Sequence, residues 1–176
     1  MTKNIKIAGF GGQGVLFTGK FLAYAGLIAG LEVSWLPSYG PEMRGGTANC
    51  SVVVSDSPVG SPIVKSPDVL MVMNLPSLDE FEKDTVPGGQ VFIDSALITR
   101  APVRTDVKNF LVPATRLAEE KNLKGLSNMI LLGKLIAATE MFSQDIVETA
   151  MRKTVSERKK DLLEANLRAL ALGASF

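Results

Sequence analysis

An α/β three-layer, Rossmann-like domain with a mostly parallel sheet that includes an antiparallel strand is the fold this sequence predicts, over residues 1–176 as a single domain. Three observations predict it. Strand-like and helix-like segments alternate along most of the chain. The run Asp68–Asn74, DVLMVMN, is short and continuously apolar, as in a parallel strand buried on both faces. The loop Ser38–Gly46 is too short for a helical crossover, so the strand after it is expected antiparallel to the one before it, or at a sheet margin.

Asn4–Gly9 alternates and is rich in β-branched residues, and reads as the first strand. Gln13–Gly30 is apolar on most faces and predicts a largely buried helix. Leu31–Pro37 reads as the second strand, stopped by Pro37, and Thr47–Ser55 as the third. Asp56–Pro67 carries three prolines and reads as a loop or edge ribbon. After the Asp68–Asn74 strand, Pro76–Thr85 predicts a helix with proline in its first turn. Gly88–Ser95 and Val107–Ala114 follow as strands. Helices are expected at Thr115–Asn122, at Ser127–Thr139 with Ser127 as N-cap, at Ser143–Thr154, and at Ser156–Gly173 with a Leu163, Leu167, Leu170 stripe.

Composition narrows the chemistry. Apolar residues make up 46% of the chain and the net charge is +1, which fits a globular core and lacks the basic excess of a nucleic-acid binder. The apolar runs are too short, or too broken by charge, to span a bilayer, and no signal-peptide pattern opens the sequence. A single cysteine, Cys50, excludes an internal disulfide and makes a cytoplasmic location the expectation. There is no histidine, the commonest general base and metal ligand. One thiol does not hold an iron–sulfur cluster, so neither a metal site nor a catalytic residue is assigned to this chain.

The stretch GFGGQGVLFTGKF (9–21) superimposes two nucleotide-binding patterns. The triphosphate pattern fails at Phe21, where a magnesium-binding hydroxyl is required, so Lys20 reads as an ordinary helix residue. The dinucleotide pattern of Gly9, Gly11 and Gly14 has the right strand–turn–helix context, and Gln13 adds an amide. Amides opening the following helix suit an anion. The acid that holds a ribose hydroxyl is missing after the second strand, however, where the sequence reads SWLPSYG. An anion pocket and a purely structural tight turn both remain open, and a typical NAD site is disfavoured.

The second loop, SYGPEMRGG, places Tyr39, Glu42 and Arg44 among glycines. Parallel first and second strands would bring it to the same sheet edge as GGQG. Arg44 suits two-pronged recognition of a carboxylate or phosphate, or pairs with Glu42 to lock the loop.

GFGGQGV, then SYGPEMRGGTANC, SP and PDVLMVMN, with SNMILLG and EANLRAL later, together resemble the gamma subunit of 2-oxoacid:ferredoxin oxidoreductases. The wording of the second loop is most similar to the 2-oxoglutarate branch, and the pyruvate, 2-oxoisovalerate and indolepyruvate branches carry similar loops. The resemblance implies a subunit of a complex that oxidatively decarboxylates a 2-oxoacid, forms an acyl-coenzyme A and passes electrons to ferredoxin. Thiamine diphosphate, magnesium and iron–sulfur clusters are then expected in partner subunits, and coenzyme A near this one. Gly9, Gly11, Gly12, Gln13 and Gly14 match the family's first loop, and Ser38, Tyr39, Gly40, Glu42, Arg44, Gly45 and Gly46 its second. Asn128 matches the asparagine that opens a later helix. The rival reading is a free-standing nucleotide-binding sensor or small reductase. Cys50, Met71, Met73 and Trp35 read as core, with the indole N–H needing an acceptor. Asp94 and Ser95 read as a polar contact or a cap.

Overall fold

Val69–Val72 is fully buried in the interior of a six-stranded sheet, where its continuous apolar run places it. The computed structural model describes residues 2–38, 47–155 and 160–176. Its strands are β1 (Thr2–Phe10), β2 (Glu32–Ser38), β3 (Thr47–Ser55), β4 (Val69–Val72), β5 (Gln90–Asp94) and β6 (Lys108–Val112), in the order β2-β3-β1-β4-β5-β6. β1, β4, β5 and β6 are parallel, while β3 is antiparallel to both β2 and β1.

The antiparallel expectation for the third strand holds, but the margin is β2. β3 is sandwiched between β2 and β1, so the first and second strands run parallel without being neighbours. β3 carries both ladders because no crossover lifts it away from β2, and its apolar Cys50, Val52 and Val54 share the face of Ile5 and Ile7.

Helix α1 (Val15–Ile28) leads from β1 towards β2, and α2 (Leu75–Phe81), continued by a short 3-10 turn at Glu82–Asp84, leads from β4 to β5. α3 (Ala114–Glu120), α4 (Ser127–Thr139), α5 (Gln144–Thr154) and α6 (Lys160–Ser175) follow β6. The larger core joins α1 and α3–α6 to one sheet face through Phe21, Leu22, Met71, Phe92, Met129 and Leu132. The smaller core lies on the opposite face, where Leu78 and Phe81 of α2 cover Ala8, Leu70 and Val72. The three expected layers are therefore present. Leu163 and Leu170 of α6 are buried in the larger core and Leu167 packs against it. Ser127 does not cap α4: Leu126 occupies the N-cap and no side chain caps that end. Its neighbour Asn128 points into the fold instead.

Asp94 resolves as a cap. Fully buried, it accepts hydrogen bonds from the Thr115 hydroxyl at 2.6 Å and from the N–H groups of Thr115 and Ala96. Burial pushes its carboxyl up, against the pull of those donors.

Glu82 is 2% exposed and holds the segment before β6. Its carboxylate accepts from Arg100 Nη2 at 2.9 Å and from the N–H groups of Val103 and Arg104 at 2.6 and 3.1 Å. Burial raises the carboxyl's affinity for a proton, but the Arg100 guanidinium and the two N–H donors outweigh it and hold the group below its ordinary range. A depressed folded-state value means stability that is complete above the unfolded value and lost as pH falls through the folded one. Thermal melts are expected to be flat in this contribution near neutrality and to fall below about pH 4.5. The Glu82→Gln variant should be less stable at pH 7 and lose less on acidification; an unchanged acid limb would remove Glu82 from this role.

Candidate functional site

β1 ends in Gly9 and Phe10, and the chain turns through Gly11, Gly12, Gln13 and Gly14 before α1 begins. Gly12 and Gly14 have φ of +90° and +79°, the left-handed region that glycine enters without a Cβ penalty. Gly14 is the N-cap of α1, with no side chain capping that end. The N–H groups of Gly11, Gly12 and Gly14 have no acceptor among the described residues, whereas Gln13 N–H donates to Phe10 O at 3.2 Å. The turn thus presents unpaired donors at the positive end of a 14-residue helix.

This turn lies where the connections diverge. α1 leaves β1 on one face and α2 leaves the adjacent β4 on the other, so the carboxyl ends of β1 and β4 bound the topological switch point of the sheet. Gln13 spans that crevice. Its Oε1 accepts from Phe10 N–H at 2.6 Å, and its Nε2 donates to Met73 O at 3.0 Å. A Cβ on Gly9 would stand 2.7 Å from Gln13 Oε1 and 3.2 Å from Met73 Cβ, so the bridge needs glycine there.

Asn128, 4% exposed, approaches the turn from α4. Its Nδ2 donates to Thr18 Oγ1 at 3.1 Å and to Gly14 O at 3.4 Å, while the Thr18 hydroxyl donates to Gly14 O at 3.0 Å. The structure therefore brings Gly9, Gly11, Gly12, Gln13, Gly14 and Asn128 together. Ser38 is the exposed last residue of β2, opposite Asn49 of β3, and Thr47, where β3 starts, lies opposite Phe10. Both described flanks of the second loop thus sit at the carboxyl edge of β1. Tyr39, Gly40, Glu42, Arg44, Gly45 and Gly46 themselves lie outside the described residues.

Two contributors escaped the sequence reading. Thr18 stands four residues after Gly14, one helical turn on, a spacing that carries a signal only once Gly14 is known to be the N-cap. Asn74 caps α2 by accepting from Ser77 N–H at 2.9 Å. Asn74 Nδ2 and Ser77 Oγ are sealed from solvent with no partner among the described residues. The Asn-Leu-Pro-Ser order before a helix is the signal for that cap.

Lys20 is exposed and lies over the Tyr24 ring at 5.7 Å, as an ordinary helix residue does. Cys50 is fully buried, and burial pushes its thiol up to about 12, which leaves no thiolate for chemistry near neutrality. Trp35 packs against the larger core, with its indole N–H beside the buried Cys50 thiol. Among the described residues no cluster of three or more metal-ligating side chains forms, and no helix is long and apolar enough to cross a membrane. Among the described residues the site is one of backbone donors and amide side chains, suited to gripping an anionic or polar ligand.

That order of strands and helices defines a Rossmann-like α/β domain with an antiparallel strand in its sheet. Residues 4–176 match the family model described as pyruvate ferredoxin/flavodoxin oxidoreductase, and the chain belongs to this family. It is 41% identical over 98% of its length to the ketoisovalerate oxidoreductase subunit VorA of Methanothermobacter thermautotrophicus, but spans only 36% of that relative. It is 38% identical to the 2-oxoglutarate synthase subunit KorC of the same organism, covering 97% of this chain and 93% of KorC. Its fold matches the crystal structure of the keto/oxoacid ferredoxin oxidoreductase gamma subunit from Geobacter sulfurreducens, with TM-score 0.84, 27% identity, and coverage of 98% of this chain and 96% of that one.

Proposed function

We propose that residues 1–176 form one gamma-type domain that serves as a non-catalytic subunit of a thiamine-dependent 2-oxoacid:ferredoxin oxidoreductase, with 2-oxoglutarate as the acid. The observation that carries this reading is the switch-point turn: N–H donors unpaired among the described residues lie at the head of α1, beside a crevice bridged by the Gln13 amide. Such a turn suits binding and orientation of a ligand. Coenzyme A fits it through its phosphates, which the N–H groups of Gly11, Gly12 and Gly14 would hold, with the second loop supplying Arg44. Bound coenzyme supplies the thiol that accepts the acyl group. This chain's part is to hold that ligand and to dock against the thiamine-binding and iron–sulfur subunits, which pass electrons to ferredoxin. The names of the relatives support the subunit role, and VorA and KorC, at 41% and 38% identity, are named for different acids. That near-equality fits an acid pocket built mainly by partner subunits.

The isolated chain is expected to be colourless and without 2-oxoacid turnover, and to co-purify with partner subunits from native extract. Arg44→Ala should lower the turnover or assembly of the complex more than tenfold while leaving the melting temperature of the isolated chain unchanged. A cluster-type visible spectrum, or turnover by the chain alone, would overturn the reading. Assays of the complex with 2-oxoglutarate and with ketoisovalerate decide the acid.

A further inference from the structure

Asn128 does not stand at the mouth of the crevice. At 4% exposure its amide is covered, and the atoms it touches belong to the turn and to α1. Nδ2 faces two acceptors, Gly14 O and Thr18 Oγ1, so the amide orientation is fixed by its surroundings. The space beside Gly14 is filled by the same group: a Cβ on Gly14 would lie 2.8 Å from Asn128 Cγ and closer still to Nδ2. Gly14 is held in its left-handed conformation by three linked groups, namely its own carbonyl, the Thr18 hydroxyl and the Asn128 amide. The peptide so held aims the N–H groups at the start of α1.

We propose that Asn128 is a positioning residue for the glycine turn, acting on the bound anion only through Gly14 and Thr18. The ligand class is a phosphate-bearing coenzyme, and this part of the inference rests on the function proposed above. α4 is thereby a working part of the site: it carries a donor across the core to a turn that has no side-chain cap of its own. On the opposite side of the turn, Gln13 ties Phe10 to Met73, so the backbone is fixed from both flanks before any ligand arrives. A donor set fixed in this way avoids the cost of ordering on binding.

Two substitutions test it. Asn128→Leu keeps the volume and removes the donor. Thr18→Val keeps the shape and removes the hydroxyl that links Asn128 to Gly14. In the free chain, hydrogen exchange of the two hydrogen-bonded amides of the turn, Gln13 and Thr18, should rise about tenfold in either variant, and the double variant should add little, because the two groups act as one unit. In the purified complex the KM for coenzyme A should rise about tenfold, with kcat changed less than twofold and the KM for the 2-oxoacid unchanged. Unchanged exchange in the turn overturns the positioning role. Raised exchange with an unchanged coenzyme KM also overturns it, since the turn would then not govern binding. A wild-type complex with no saturable coenzyme dependence refutes the functional reading instead, and the exchange measurement still decides the role of Asn128 in the turn.

Discussion

Replacing Gly173 by alanine is expected to destabilise the chain by about 3 kcal/mol or more, near the top of the range for overpacking, because the added methyl meets backbone rather than a movable side chain. A Cβ built on Gly173 lands on the carbonyl of Ile130, with its carbon at 2.7 Å. The contact is reciprocal: a Cβ on Gly133 lands on the carbonyl of Leu170, with its carbon at 2.8 Å. α4 and α6 therefore cross at glycine on both sides, nearer than any side chain permits. Neither carbonyl can move without pulling its helix off the core, where Ile130 and Leu170 are buried. For a chain of this size each kcal/mol corresponds to about 2–4 °C in melting temperature, so a drop of about 6–12 °C is expected. Calorimetry of Gly173→Ala, with Gly133→Ala as an independent second site, checks it. A loss below about 1 kcal/mol in both would show that the helices separate cheaply, and the close crossing would then carry little of the stability.

What the sequence made legible follows from what is local. Strand and helix positions were readable because each carries its own period. Thr47–Ser55 and Ser127–Thr139 match the expected bounds, the expected helix start at Ser156 lies outside the described residues, and most other element ends differ by a few residues where capping and turn geometry decide. The place of β3 was not readable. Its pairing with β1 joins Thr2 to Ser55 and Phe10 to Thr47, and no local pattern distinguishes a neighbour of β2 alone from a strand shared by both. The close crossing of α4 and α6 was hidden for the same reason, since Gly133 and Gly173 lie in separate helices and no local pattern joins them.

The site divides in the same way. The glycine turn announced itself because its positions need left-handed φ at Gly12 and Gly14 and room at Gly9, and only one residue type meets these needs. Asn128 came from family resemblance; its contact with Gly14 spans 114 positions and leaves no trace in spacing. The expected N-cap at Ser127 failed beside it, because α4 starts against the core with Asn128 turned inward and no polar side chain closing its first turn. A helix that spends its opening polar residue on a neighbouring turn is consistent with a role for that turn beyond stability.

Gly14→Ala joins both themes and should have the largest effect on function. Its methyl would collide with the Asn128 amide, and its φ of +79° is strained for any residue with a Cβ. Left-handed strain of about 1–2 kcal/mol leaves the fold intact against a total stability of about 5–15 kcal/mol. The turn has two ways to relieve the collision, and each damages the site. Either Asn128 retreats and Gly14 O loses its support, or the Gly14 peptide rotates and its N–H turns from the crevice. The expected result is a chain that melts within a few degrees of the wild type and still assembles, in a complex whose KM for coenzyme A is raised at least tenfold. Gly12→Ala is the control. Its Cβ meets nothing within 4 Å, so it shares the backbone strain without the collision, and its effect on the coenzyme KM should be the smaller of the two. Equal losses in both variants would mean that backbone conformation alone, and not the contact with α4, sets the geometry of the donors.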